Sequence, residues 1–124
     1  MLLFYLRIKK NMPEFTANGK RYNNPVEFAL GKIGGKWKIP ILWRLKDRIW
    51  RYGELKRDLK KITHKMLSEQ LDEMEADGLI CREVFPEVPP RVEYSLTNKG
   101  RTVVPIIEAL RELGLAMMKS ENIE

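Results

Sequence analysis

A chain of 124 residues has the length of one domain, and 44% apolar residues are enough for one hydrophobic core. The single cysteine, Cys81, excludes an internal disulfide framework and fits a reducing cytoplasm; with only one histidine beside it, a zinc site of the common kind is excluded, and no apolar run reaches the roughly 20 residues of a membrane span. The net charge of +6 is unevenly spread, 16 Lys/Arg against 5 Asp/Glu in residues 1–62 and 7 against 12 in residues 63–124, so a basic half suited to a polyanion sits beside an acidic half.

Met1 to Leu6 is apolar and is followed by Arg7, Lys9 and Lys10. A secretory signal needs the reverse order of charge, a longer apolar core and a small-residue cleavage site, none of which is present. Two readings fit: Met12 as the initiator with residues 1–11 an upstream extension, or Leu3, Leu6 and Ile8 packing on a partner subunit. Residues 13–24, with Pro13, Gly19 and several asparagines, read as a loop or loosely ordered arm. Residues 1–23 are therefore expected to be an N-terminal arm or extension.

The first helix is punctuated by Asn24 as cap, Pro25 at the first helical position and Glu27 as a capping-box carboxylate. Val26, Leu30 and Ile33 form its apolar stripe, and Gly34-Gly35 ends it. A second helix is predicted over Lys36 to Asp47, with Trp37, Ile41, Leu42 and Leu45 at helical spacing and Pro40 near the first turn. Arg48 to Arg51 is a basic turn or short strand. Trp37 and Trp50 are expected to anchor the core, whereas Trp43 faces either a dimer partner or a ligand cleft.

Tyr52 to Leu59 and Thr63 to Asp77 are the third and fourth helices, separated by Lys60, Lys61 and Ile62. Leu55 and Leu59 mark the buried face of one; Leu67, Leu71 and Met74 mark that of the other. Thr63 caps the fourth helix and Gly78 stops it. Two alternating runs follow, Leu79 to Phe85 and Arg91 to Leu96, joined across Pro86-Glu87-Val88-Pro89-Pro90. Cys81 is expected to be a small buried residue of the first run. Thr97 caps the next segment, in which Val103, Val104, Ile107, Leu110 and Leu113 continue helically with a kink or restart at Pro105. Leu113 to Met118 is either a dimer surface or packs on its own core.

Helix, tight turn, helix and hairpin in this order make the fold class mostly α with a small β-hairpin wing, a winged helix-turn-helix. The fourth helix is polar and basic early (His64, Lys65, Ser68, Gln70) and acidic late (Asp72, Glu73, Glu75, Asp77). Late acid opposes the helix dipole and repels phosphate, so only the first two turns suit the major groove of double-stranded DNA.

The ordered set Gly34-Gly35-Lys36-Trp37, Arg51-Tyr52-Gly53-Glu54-Leu55, Leu67 and Leu71 with Gly78-Leu79, and Glu87-Val88-Pro89-Pro90-Arg91-Val92-Glu93-Tyr94-Ser95-Leu96-Thr97 with Gly100 resembles the HxlR-type winged helix-turn-helix regulators over residues 24–113. The resemblance implies a homodimeric bacterial or archaeal transcription regulator, with helix four for recognition, the hairpin as wing and the terminal helices, including residues 114–124, as dimer contact. Two departures stand out. Many members carry a cysteine directly before the proline that opens helix one; Asn24 occupies that place, so thiol sensing there is impossible. Pro40 stands where an aliphatic or polar residue is usual.

Thr63, His64, Lys65 and Ser68 are the candidates for direct readout, Thr63 as a cap first and a phosphate contact second. Met66 is either a groove contact or core. Tyr52, Lys56, Arg57 and Lys60 are candidates for positioning on the phosphate backbone. Arg51 and Arg91 are candidates for phosphate or minor-groove contact, with Arg91 alternatively pairing with Glu87 or Glu93. Lys36 is a further phosphate candidate. The expected function is a cytoplasmic, homodimeric, sequence-specific DNA-binding transcriptional regulator; the rival is a winged-helix module that binds protein. One histidine and one cysteine on different elements offer no catalytic pair, so no enzyme, cofactor or metal is expected. No residue pattern names an effector ligand.

Overall fold

The computed structural model describes residues 1–3 and 12–124. The readings of the amino-terminal stretch that rest on Leu6, Arg7, Ile8, Lys9 and Lys10 lie outside the described residues. The chain forms two compact units, Met1–Gly35 and Lys36–Glu124.

In the first unit, β1 (Phe15–Ala17) and β2 (Lys20–Tyr22) pair antiparallel, with Phe15 opposite Tyr22 and Ala17 opposite Lys20. The segment expected as a loose arm is thus a hairpin. Its two-residue turn is Asn18-Gly19, both at positive φ (52° and 75°), the geometry that matches the right-handed twist of paired strands. Phe15 stacks on Tyr22 at 5.3 Å, and Phe28 of α1 (Pro25–Ile33) meets both rings edge-on at 5.5 and 4.9 Å. At the start of α1 the Glu27 amide donates to Asn24 Oδ1 at 2.8 Å, and Glu27 returns a carboxylate oxygen to the amide of Asn23 at 2.8 Å. That is a reciprocal cap shifted by one residue from the usual box. Of the expected stripe, Ile33 is buried but Val26 and Leu30 are exposed.

The second unit begins with α2 (Lys38–Leu45), two residues later than expected. Trp37 is its cap residue, its carbonyl accepting from the Ile41 amide at 3.1 Å. Pro40 is therefore the third helical residue, a position whose N–H would have no helical partner. Ile41, Leu42 and Leu45 are fully buried. Then come β3 (Trp50–Arg51), α3 (Tyr52–Leu59), α4 (His64–Ala76), β4 (Ile80–Phe85), β5 (Arg91–Leu96), α5 (Asn98–Arg101) and α6 (Val104–Ser120). The sheet has strand order β3-β5-β4 and is antiparallel throughout, with Trp50 opposite Tyr94, Ile80 opposite Leu96 and Phe85 opposite Arg91.

Leu55 and Leu59 of α3, Leu67, Leu71 and Met74 of α4, and Ile80, Tyr94 and Leu96 of the sheet bury together with Val103 and Ile107. Ile62, in the turn between α3 and α4, is as buried as any of them. Each such aliphatic side chain contributes about 1.5–3 kcal/mol of transfer free energy, which fixes α4 against the rest of the unit. The α4 C-terminus closes in a Schellman motif: the Leu79 amide donates to Met74 O and the Gly78 amide to Glu75 O, both at 2.9 Å, with Gly78 at φ +74°. Thr97 donates its hydroxyl to Gly78 O at 2.6 Å and accepts from the Gly100 amide at 3.0 Å, so one side chain joins the end of α4 to the start of α5. A Cβ on Gly100 would lie 2.0 Å from Leu79 O, which explains a glycine there. Pro105 is the second residue of α6; the helix restarts rather than kinks.

Two expectations change, and one residue is new. Cys81 is exposed, because β4 buries only its first residue and the rest of the strand is an open edge. Trp37 and Trp50 are half-buried rather than central; Trp50 donates its Nε1–H to Arg44 O at 3.0 Å under the guanidinium of Arg48, 3.8 Å away. Lys38, which the sequence did not single out, is buried and pairs with Glu73 of α4 at 2.8 Å.

Candidate nucleic-acid interface

The helix-turn-helix motif is α3, the turn Lys60–Thr63 and α4. In the turn, the Lys61 amide donates to Leu59 O at 2.7 Å across Lys60, whose φ of +60° and ψ of −74° are those of a γ-turn. Thr63 then caps α4, its hydroxyl oxygen accepting from the Met66 amide at 3.1 Å. With Leu67, Leu71 and Met74 turned inward, the helical period leaves His64, Lys65 and Ser68 exposed over the first turns.

Lys65 is 84% exposed, and its nearest carboxylate partner, Glu69, is 4.0 Å away, so its charge is available to a ligand. Met66 is also exposed, which removes the core alternative for it. His64 and Ser68 are tied to the first helix of the motif through Tyr52. The Tyr52 hydroxyl lies 3.1 Å from His64 Nδ1, 3.2 Å from Ser68 Oγ and 3.3 Å from the His64 carbonyl oxygen, and the two rings stack at 5.9 Å. Tyr52, a phosphate candidate from the sequence, thus lies beside the readout candidates and also lines the cleft that holds Arg51, Arg57 and Arg91.

Arg51, Arg57 and Arg91 line one open cleft of about 520 Å³ between the start of α3 and the wing. Arg91 makes both of its alternative ion pairs, to Glu87 at 3.2 Å and Glu93 at 3.3 Å, and its guanidinium lies 4.1 Å from the Phe85 ring. Lys56 is half-buried and Lys60 is exposed in the turn. Lys36 precedes α2, with its ammonium 5.0 Å from the Trp37 ring, and is not among the residues lining that cleft. Glu54 anchors the start of α3: it accepts from the Arg51 amide at 2.8 Å and lies 3.4 Å from Arg48. The Arg51 backbone N–H and the nearby Arg48 guanidinium hold the Glu54 carboxyl below its ordinary range. At the acidic end of α4, Asp72 and Glu75 line a smaller cleft of about 290 Å³ with Arg82 and Tyr94, and burial raises the Tyr94 phenol above its ordinary value. Among the described residues no group of His, Cys, Asp and Glu is arranged to hold a metal ion, and no helix is long and apolar enough to cross a membrane.

An exposed polar second helix held by a capped tight turn, with a two-strand wing beside it, defines a winged helix-turn-helix DNA-binding protein. The family model described as HxlR-like helix-turn-helix matches residues 32–122, and the chain belongs to that family. It is 56% identical over 89 residues to an uncharacterized HTH-type transcriptional regulator of Methanothermobacter thermautotrophicus, covering 72% of this chain and 68% of that protein. It is 48% identical over 114 residues to another of Halalkalibacterium halodurans, covering 90% and 98%. Among solved structures it resembles the redox regulator HypR in its oxidized form, at 49% identity and a TM-score of 0.70, covering 74% of this chain and 95% of that one. The chain is a transcriptional regulator with a helix-turn-helix DNA-binding domain.

Proposed function

We propose that this regulator binds a pseudo-palindromic operator as a homodimer, reading bases with the first turns of α4. In this reading residues 24–113 make the DNA-binding domain, residues 1–23 an N-terminal arm or extension, and residues 114–124 the C-terminal helix end and tail at the dimer contact. The observation that carries it is the early part of α4, where His64, Lys65 and Ser68 are exposed on a capped helix start that also favours anions. Arg51, Arg57 and Arg91 around the neighbouring cleft supply phosphate contacts. Support for a second copy comes from α6, where Ile106, Leu110, Leu113 and Met117 are all exposed at helical spacing. Two recognition helices then sit about 34 Å apart, one turn of DNA, or a multiple of it.

The test is to select duplexes from random DNA with the purified protein and sequence them. A two-fold symmetric consensus is expected, with affinity falling steeply as salt rises because phosphate contacts release counterions. Lys65→Ala is expected to cost about 1–3 kcal/mol of operator affinity. Unchanged binding by the Lys65→Ala, His64→Ala double variant would overturn the assignment of α4 as the reading helix.

A further inference from the structure

The Tyr52 hydroxyl has one proton to donate and two lone pairs to accept with, and it faces three partners. One of these, the His64 carbonyl oxygen, can only accept. A single arrangement satisfies all three contacts at once: Tyr52 donates to the carbonyl, and receives the Nδ1–H of His64 and the hydroxyl proton of Ser68. Donation from Tyr52 to Nδ1 instead would leave the carbonyl contact without a proton. The stacked rings, with planes 10° apart, hold the imidazole in one orientation against the phenol.

We propose that Tyr52 is a specificity-determining positioning residue: it fixes His64 as the Nδ1–H tautomer and occupies the proton of Ser68, so that α4 presents two hydrogen-bond acceptors to DNA. This rests on the reading that α4 enters the major groove. A neutral Nδ1–H imidazole has only a lone pair at Nε2, and Ser68 with its proton engaged keeps acceptor capacity at Oγ. His64 and Ser68 are four residues apart and so lie on the same helix face. In the major groove the groups that match acceptors are the exocyclic amines of adenine N6 and cytosine N4; guanine O6 and N7 would face lone pair against lone pair. The Tyr52 hydroxyl therefore sets which bases are accepted at the positions that α4 reads, acting through His64 and Ser68.

The chain has one histidine, so its ring nitrogens are observed without ambiguity by ¹⁵N NMR. At about pH 8.5, where an ordinary imidazole is neutral, the free wild-type protein is expected to show the Nδ1–H tautomer. Tyr52→Phe, which keeps the stacking ring, is expected to lose that preference. In binding, the same variant is expected to lower the ratio of operator to random-DNA affinity about fivefold to tenfold. Replacing a contacted adenine by purine, which lacks the amine, is expected to weaken the wild type about tenfold and Tyr52→Phe much less. A wild-type Nε2–H tautomer, or an unchanged specificity ratio in Tyr52→Phe, overturns this proposal while leaving operator binding intact. Absence of any selected operator for the wild type overturns the underlying reading instead. The wild-type tautomer decides the matter even if Tyr52→Phe is poorly folded.

Discussion

Lys60 is held at a positive φ that a side chain with a Cβ rarely adopts, and it sits in the turn that aims α4. Such a conformation costs of order 1–3 kcal/mol, offset by the burial of Ile62 and the cap at Thr63. Lys60→Gly removes that strain and gives back part of the gain as backbone entropy, so a net stabilisation of about 0.5–1 kcal/mol is expected. Lys60→Pro, with φ locked near −65°, is expected to destabilise by more than that. Urea titration of the two variants against wild type checks both signs. The sequence marked Lys60 as part of a three-residue gap, but a lysine carries no sign of a left-handed backbone where glycine or asparagine would. Lys38 was illegible for a different reason: its partner Glu73 is on another helix, and only the tertiary fold brings them to 2.8 Å. Caps were legible because their chemistry is local. Thr63, Thr97 and Asn24 each accept from an amide three residues ahead, as their residue types require. Within the candidate site, exposure of His64, Lys65 and Ser68 followed from helical spacing, whereas the Tyr52 contacts cross 12 and 16 residues and needed the fold.

At the scale of elements, α3 depends on a carboxylate at its start. The depressed Glu54 group contributes stability that is present above its unfolded value of 4.5 and is lost as pH falls through the lower folded value. The difference in thermal stability between wild type and Glu54→Gln is therefore expected to be largest near neutrality and to shrink as the medium is acidified. Because the group is solvated, the neutral-pH difference is expected to be small, a few tenths of a kcal/mol. A difference that grew towards low pH would contradict the cap. Helices α2 to α4 and the wing strand β5 stood out in the sequence because buried residues recur at helical or two-residue periods over enough length to show. The β1–β2 hairpin did not, since strands of three residues are too short for alternation, although Asn18-Gly19 is the strongest local hairpin signal there is. The exposure of Cys81 escaped for a related reason: β4 is an edge whose faces do not alternate in burial, so its pattern gave no buried side to read.

For the whole molecule, the proposed operator symmetry requires a second copy, and α6 is where the sequence and the structure both leave apolar surface. Leu113 is 51% exposed, next to Leu110 at 45% and Met117 at 53%, in a helix whose only buried residue is Ile107. A charge at such a position costs an isolated chain little, but it places a desolvated carboxylate in an interface between two copies. Leu113→Glu is therefore expected to keep the thermal transition of a folded chain while halving the mass measured by sedimentation at micromolar concentration. One monomer then reads one half-site, and the loss of the linked second contact is expected to weaken operator binding by about a hundredfold or more. Binding to random duplex should fall far less, because the phosphate contacts proposed for Arg51, Arg57 and Arg91 reside in each copy separately. If wild type sediments as a monomer, or if Leu113→Glu sediments as a dimer with full operator affinity, α6 does not join the copies and the symmetry of the operator must arise elsewhere.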